Sequence, residues 1–106
     1  MRKVCVQGST VLRFGPSASV LPGHRAIDVT LDGNVPSKRF LEMLSEMFVS
    51  LDHVYGTEPT HAGITVKFHR QCGDNAVSRA VDLMARKVER WLSQRTPEEI
   101  QGLTAA

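Results

Sequence analysis

The stretch AIDVTLD (residues 26–32) decides the fold class, because its apolar and polar residues alternate one by one. Successive side chains of a β-strand point to opposite faces of a sheet. The stretch is therefore predicted to be a strand that buries Ile27, Val29 and Leu31 and turns its polar residues to the other face. Residues 64–70 alternate in the same way and predict a second strand of this kind.

Between and after these two strands, apolar residues recur at spacings of three and four, which is the period of an α-helix. Ser37–Tyr55 carries such a stripe and is predicted to be the first helix, with Gly56 following its end. A second helix is predicted from about residue 74 to about residue 94. The run Thr96-Pro97-Glu98-Glu99 is typical of a helix start, so we expect a short last helix or a frayed tail over residues 96–106.

Two short strands are expected at the start of the chain, Val4–Gln7 and Thr10–Phe14, joined by a turn at Gly8-Ser9. The predicted order is then strand, strand, strand, helix, strand, helix. The third strand, the first helix and the fourth strand are interpreted as a right-handed crossover between parallel strands. We therefore predict one α+β domain over residues 1–106: two layers, a mixed four-stranded sheet with both helices packed on one face, and a short C-terminal helical turn.

Composition sets limits on the function. The chain has 106 residues, of which 42% are hydrophobic and 23% charged, as in ordinary globular proteins. Its net charge of +2 is too small to indicate a polyanionic partner by itself. It has no apolar run long enough to span a membrane or to form a secretory signal, and two cysteines are too few for a disulfide framework. We expect a cytoplasmic protein with free thiols, no membrane contact and, without a glycine-rich phosphate-binding motif, no cofactor.

The main functional hypothesis concerns the face of the sheet that the helices leave open. Polar residues are predicted there without any aromatic residue, which disfavours RNA recognition, because sheets that bind RNA stack bases on aromatic rings. An apolar pair in the loop of residues 15–25 adds a contact surface. The sequence therefore predicts a small non-catalytic binding or regulatory module, such as an adaptor, inhibitor or accessory subunit, that contacts a protein partner or a second copy. The predicted contact residues are Arg13, Val20, Leu21, Asp28, Thr30 and Lys67.

Nucleic-acid binding is the alternative. Residues 67–95 have seven cations and three anions, a local net charge of +4, whereas the rest of the chain sums to −2. Such an asymmetry is compatible with a phosphate-contacting surface on the second helix, although a solvated helix face explains it too. Asp82 and Arg86 are expected to form an i,i+4 ion pair on this helix. The candidate nucleic-acid contacts are Arg79, Arg86, Lys87 and Arg90.

A third alternative is an enzyme or a metal site centred on His69 and Cys72. A thiol just before a helix start loses its proton more easily, because the helix dipole favours the thiolate. Zinc, however, needs three or four converging ligands, and only this pair has a suggestive spacing. No family signature of a cysteine nucleophile flanks Cys72. We therefore predict neither a catalytic residue nor a metal site. His69 and Cys72 are candidate residues of this third alternative only.

Overall fold

The computed structural model describes residues 2–17 and 23–104, and the described chain forms an α+β fold of five strands and three helices. The predicted contact residues Val20 and Leu21 lie outside the described residues. None of the described helices is long and apolar enough to cross a bilayer. The strands are β1 (Arg2–Gln7), β2 (Thr10–Pro16), β3 (Arg25–Asp32), β4 (Val54–Pro59) and β5 (Gly63–Phe68), and the helices are α1 (Lys38–Val49), α2 (Asp74–Ser93) and α3 (Pro97–Thr104).

The strands form one sheet in the order β1-β2-β3-β5-β4, and each neighbouring pair is antiparallel. The α+β class is confirmed, but the predicted mixed sheet of four strands is wrong. The sequence missed β4, which runs along the sheet edge and returns through a hairpin into β5. This extra reversal makes β5 antiparallel to β3, with Ile27 opposite Val66, so the predicted parallel crossover does not form.

The first helix is shorter than predicted. Ser37 caps its start, because the side-chain oxygen accepts a hydrogen bond from the Phe40 N–H at 3.1 Å. The helix ends at Val49 instead of Tyr55. His53 has a φ of 72°, a left-handed conformation that no α-helix contains, and the chain then enters β4. Leu51 and Tyr55 therefore continue the helical spacing of apolar residues without belonging to the helix.

The core lies between the sheet and the helices. Fully buried side chains of both layers meet there, for example Phe14 of β2 and Phe48 of α1, whose ring centroids are 6.3 Å apart. Helix α3 closes one end: the Ser37 N–H donates to the Leu103 carbonyl at 3.0 Å, and Ile100 is buried. The hydrophobic cluster as a whole comprises residues of all five described strands and all three described helices. One face of the sheet thus faces the helices, and none of the described helices covers the other.

The start of α3 confirms the predicted capping arrangement. The Thr96 N–H donates to Oε1 of Glu99 at 3.1 Å, and the Glu99 N–H donates back to Oγ1 of Thr96 at 3.2 Å. This reciprocal pair satisfies two donors that the first helical turn would otherwise leave unpaired. The hydrogen bond that the Thr96 backbone N–H donates lowers the pKa of the Glu99 carboxyl, and the Thr96 hydroxyl lowers it further by a smaller amount.

Candidate functional site

The uncovered side of the sheet, which we call the open face, follows from the strand register. Ile27 and Val66 are paired and buried, so the next pair, Asp28 and Thr65, points the other way. The same alternation places Arg13 opposite Thr30 on this side. Four of the predicted contact residues, Arg13, Asp28, Thr30 and Lys67, therefore share the open face. Its other members are Lys3, Cys5, Val11, Gly15, Ala26, Asp32, Tyr55, Gly56, Glu58, Gly63 and Thr65.

Cross-strand polar pairs hold many of these side chains in place. Nε of Arg13 lies 2.8 Å from Oδ2 of Asp32, and Nζ of Lys67 lies 2.8 Å from Oε2 of Glu58. The hydrogen bond between Lys67 and Glu58, and then their charge attraction, raises the pKa of the lysine and lowers that of the carboxyl. Exposed ion pairs of this kind contribute little to stability, because solvent screens them. Their consequence here is that the polar side chains are fixed before any partner arrives.

A groove of about 630 Å³ crosses β1, β2 and β3 on the open face, with Lys3, Arg13, Asp28 and Thr30 among its lining residues. Gly15 also lines the groove, and a Cβ added there would meet no atom within 4 Å. Lys3 forms no ion pair with any described residue. Asp28 accepts a hydrogen bond from Oγ1 of Thr65 at 2.7 Å but likewise has no cation paired to it in the described chain. The groove therefore has one uncompensated positive and one uncompensated negative side chain.

An aromatic corner of three rings, His24, Tyr55 and His69, lies at one end of the open face. The Tyr55 ring centroid is 5.6 Å from that of His69 and 6.3 Å from that of His24. Tyr55 is 48% exposed, and Nδ1 of His24 is buried without a hydrogen-bond partner among the described residues. The prediction that no aromatic residue points outward is therefore wrong, because Tyr55 belongs to β4, at a β-bulge opposite Lys67, and not to a helix stripe.

The basic residues of α2 are arranged differently from the prediction. Arg79, Arg86 and Arg90 are exposed, whereas Lys87 is half-buried. Asp82 does not pair with Arg86. NH1 of Arg2, on β1, lies 3.0 Å from Oδ1 of Asp82, and its NH2 lies 3.5 Å from Oε1 of Glu89. The two acids in the middle of α2 are thus held by a cation of the sheet.

The surroundings of Cys72 disfavour the third alternative, a nucleophile pair of His69 and Cys72. The thiol is only 5% exposed, and burial raises its pKa against the smaller opposing effect of the Arg25 charge. Its Sγ lies 3.9 Å from the Gly73 carbonyl oxygen, and the His69 ring lies against Tyr55. A protonated, buried thiol is a poor nucleophile. Within residues 2–17 and 23–104, no three His, Cys, Asp or Glu side chains are grouped to hold a metal ion.

No protein family, curated protein or solved structure matches this chain. The surfaces themselves therefore carry the functional argument. Two of them have distinct chemistry: the open face, where opposite charges are balanced, and the exposed side of α2, where three arginines lie together.

Proposed function

We propose that this protein is a small non-catalytic binding module that acts through protein–protein contacts, and that its open face associates with a second copy of the same chain. The observation that carries the proposal is the groove between β1 and β3, with Lys3 and Asp28 as its two uncompensated charges. A symmetric partner supplies the missing counter-charge for both residues at once.

The symmetry argument follows from the strand order. In a two-fold dimer, residue i of one copy meets residue j of the other, and j meets i. If the axis runs along β2, β1 of each copy lies over β3 of the other, which places Lys3 against the strand that carries Asp28. Lys3 of one copy and Asp28 of the other are then offset along the strand direction by one row of residue pairs, which is about 7 Å. A lysine side chain spans this distance. Gly15 on β2 leaves room for the two faces to approach.

The small size of this contact determines how strong it is. Three strands spaced about 4.8 Å apart give a contact only about 14 Å wide. Stable dimers bury about 800 Å² on each partner, and this contact belongs to the lower end of specific interfaces. We therefore expect reversible, concentration-dependent association in which the polar pairs of the open face supply a fixed surface.

Binding rather than catalysis is proposed for two reasons. The reactive pair singled out by the sequence is disfavoured by the burial and raised pKa of Cys72. Several polar residues of the open face, in contrast, are engaged in cross-strand pairs such as Arg13 with Asp32, so they offer a surface for recognition.

Sedimentation equilibrium between about 10 µM and 1 mM tests the proposal. One chain has a mass of 11.7 kDa, so a dimer has about twice that mass. Lys3→Asp or Asp28→Lys alone brings like charges together and is expected to give monomers. The double variant exchanges the two charges and is expected to restore the dimer, because each side chain again meets its opposite.

Lys38→Asp and Glu42→Lys are matched controls, because they make the same charge changes at exposed positions of α1. Both are expected to dimerise like the original chain, and circular dichroism checks that every variant is folded. A monomer at 1 mM for the original chain overturns the proposal. So does a folded double variant that stays monomeric.

A further inference from the structure

The outer side of α2 carries a straight row of arginines, Arg79, Arg86 and Arg90, which we call the arginine row. Steps of seven and four residues return to nearly the same direction around an α-helix. Arg90 lies eleven positions after Arg79, which is about 16 Å along the helix axis. All three side chains are exposed, and Leu83, 43% exposed, occupies the position between the first two.

Arg2 of β1 pairs with the two acidic residues of α2 that neighbour this row. In sequence, Asp82 and Glu89 lie beside the arginines and would be expected to neutralise them. In the structure both acids turn to Arg2, at 3.0 and 3.5 Å. No ion pair joins any member of the arginine row to another described residue. Arg2 thus holds both carboxylates and offsets one of their two negative charges, and the guanidinium groups of the row stay unpaired among the described residues.

We propose that the arginine row binds the phosphate backbone of double-stranded DNA, a function separate from the proposed self-association of the open face. The planar guanidinium group donates two parallel hydrogen bonds to a phosphate. A duplex presents one negative charge per about 1.7 Å of its axis, so 16 Å of helix faces roughly ten phosphate charges. The row is rigid and straight because α2 packs on the core through residues such as Met84 and Val88.

The residues around the row favour a duplex over a single strand. Proteins that bind single strands without sequence preference stack the bases on aromatic rings. From residue 79 to residue 90 the helix has no aromatic side chain, and an aliphatic one, Leu83, lies between the arginines. The same segment has no Asn or Gln, the side chains that typically read adenine in the major groove. We therefore expect binding that depends on phosphate contacts and not on base sequence.

Fluorescence anisotropy with a labelled DNA duplex of about 20 base pairs tests the proposal at several NaCl concentrations. Three phosphate contacts predict a slope of about −2.7 for log K against log salt concentration, and so a loss of affinity of about 40-fold between 50 and 200 mM. Arg86→Ala with Arg90→Ala leaves one contact, for which the expected loss over the same range is about 3- to 4-fold. The affinity of this double variant at 50 mM is also expected to fall.

The matched control is Lys38→Ala with Arg39→Ala, which removes the same charge from exposed positions of α1. It is expected to keep the salt slope of the original chain. Two further ligands, a single strand of the same length and polyglutamate, are expected to bind more weakly than the duplex. Equal loss of duplex binding in both double variants overturns the proposal, and so does polyglutamate binding as tight as that of the duplex. Neither result depends on the oligomeric state, so failure here is distinguishable from failure of the open-face proposal.

Discussion

Replacing Gly63 by alanine is expected to destabilise the protein severely, although it adds a single methyl group. Gly63 starts β5 and is paired with Thr30 of β3 in the middle of the sheet. A Cβ built on it would lie 1.8 Å from the Val29 carbonyl oxygen and 2.9 Å from Cα of Thr30. Ordinary van der Waals contact begins at 3.4 Å. The two strands would therefore have to separate locally by about 1.6 Å, because the obstacle is backbone and cannot rotate away.

The cost follows from the hydrogen bonds that such a separation breaks. The neighbouring Leu31 N–H donates to the Ala62 carbonyl at 2.8 Å, and a further 1.6 Å takes this bond beyond its useful range. Losing this bond and one more of the β3–β5 ladder costs about 2 kcal/mol, and overpacking costs about 1–3 kcal/mol more. A loss of about 3–5 kcal/mol is a large part of the 5–15 kcal/mol typical of a folded domain. The melting temperature is expected to fall by at least about 12 °C.

Urea unfolding followed by far-UV circular dichroism measures this loss. Gly56→Ala is the matched control, because Gly56 lies in the neighbouring strand β4, has no left-handed φ, and would place its Cβ in open space. It is expected to change the free energy of unfolding by less than about 1 kcal/mol. If the free energy of unfolding of Gly63→Ala differs from that of the original chain by less than 1 kcal/mol, β3 and β5 do not approach each other this closely at Gly63.

Two further predictions concern titratable side chains. The pKa of Glu99 is lowered first by the hydrogen bond from the Thr96 backbone N–H, so this carboxylate stabilises the fold above the ordinary glutamate pKa and loses that effect as the pH falls through the lowered value. Urea unfolding of Glu99→Gln is expected to show a deficit at pH 7 that shrinks progressively as the pH falls below the ordinary glutamate pKa, whereas a deficit that does not change with pH contradicts the cap. Iodoacetamide is expected to label exposed Cys5 much faster than buried Cys72, whose pKa is raised by burial. Mass spectrometry of the first adduct decides this, and equal labelling of the two thiols would contradict it.

Strict alternation of apolar and polar residues proved a reliable guide to the sheet. In residues 26–32 it correctly predicted both β3 and the face to which Asp28 and Thr30 point. The alternation succeeds because β3 lies in the middle of the sheet and the described helices pack against one side of it only. The four described contact residues share the open face for the same reason. Whether they bind a partner is the part that alternation cannot predict.

The sequence analysis did not predict strand β4, for two physical reasons. It contains Gly56 and Pro59, which are unfavourable in strands and are tolerated here at a sheet edge. Leu51 and Tyr55 also continue the helical spacing of α1, so nothing in the spacing reveals that His53 adopts a left-handed conformation. The missed strand moved Tyr55 from a helix to the open face and reversed the direction assigned to β5. A single local error thus changed both the topology and the composition of the candidate site.

The contact of Arg2 with Asp82 and Glu89 could not be predicted from the sequence either. Local rules compare residues three or four positions apart, whereas Arg2 and Asp82 are separated by 80 positions. Only the packing of α2 beside β1 brings them together. The sequence indicated a basic helix but could not show which of its charges are neutralised, and that distinction determines whether a row of arginines is available.

All described helices lie on one side of the sheet, so the open face and the arginine row point away from each other. Two chains joined through their open faces would carry their arginine rows on the two outer surfaces of the pair. Such a particle is bivalent, and it would crosslink two duplexes instead of wrapping one. The outcome would be visible without any label, as turbidity that rises at matched concentrations of protein and DNA and clears when either one is in excess.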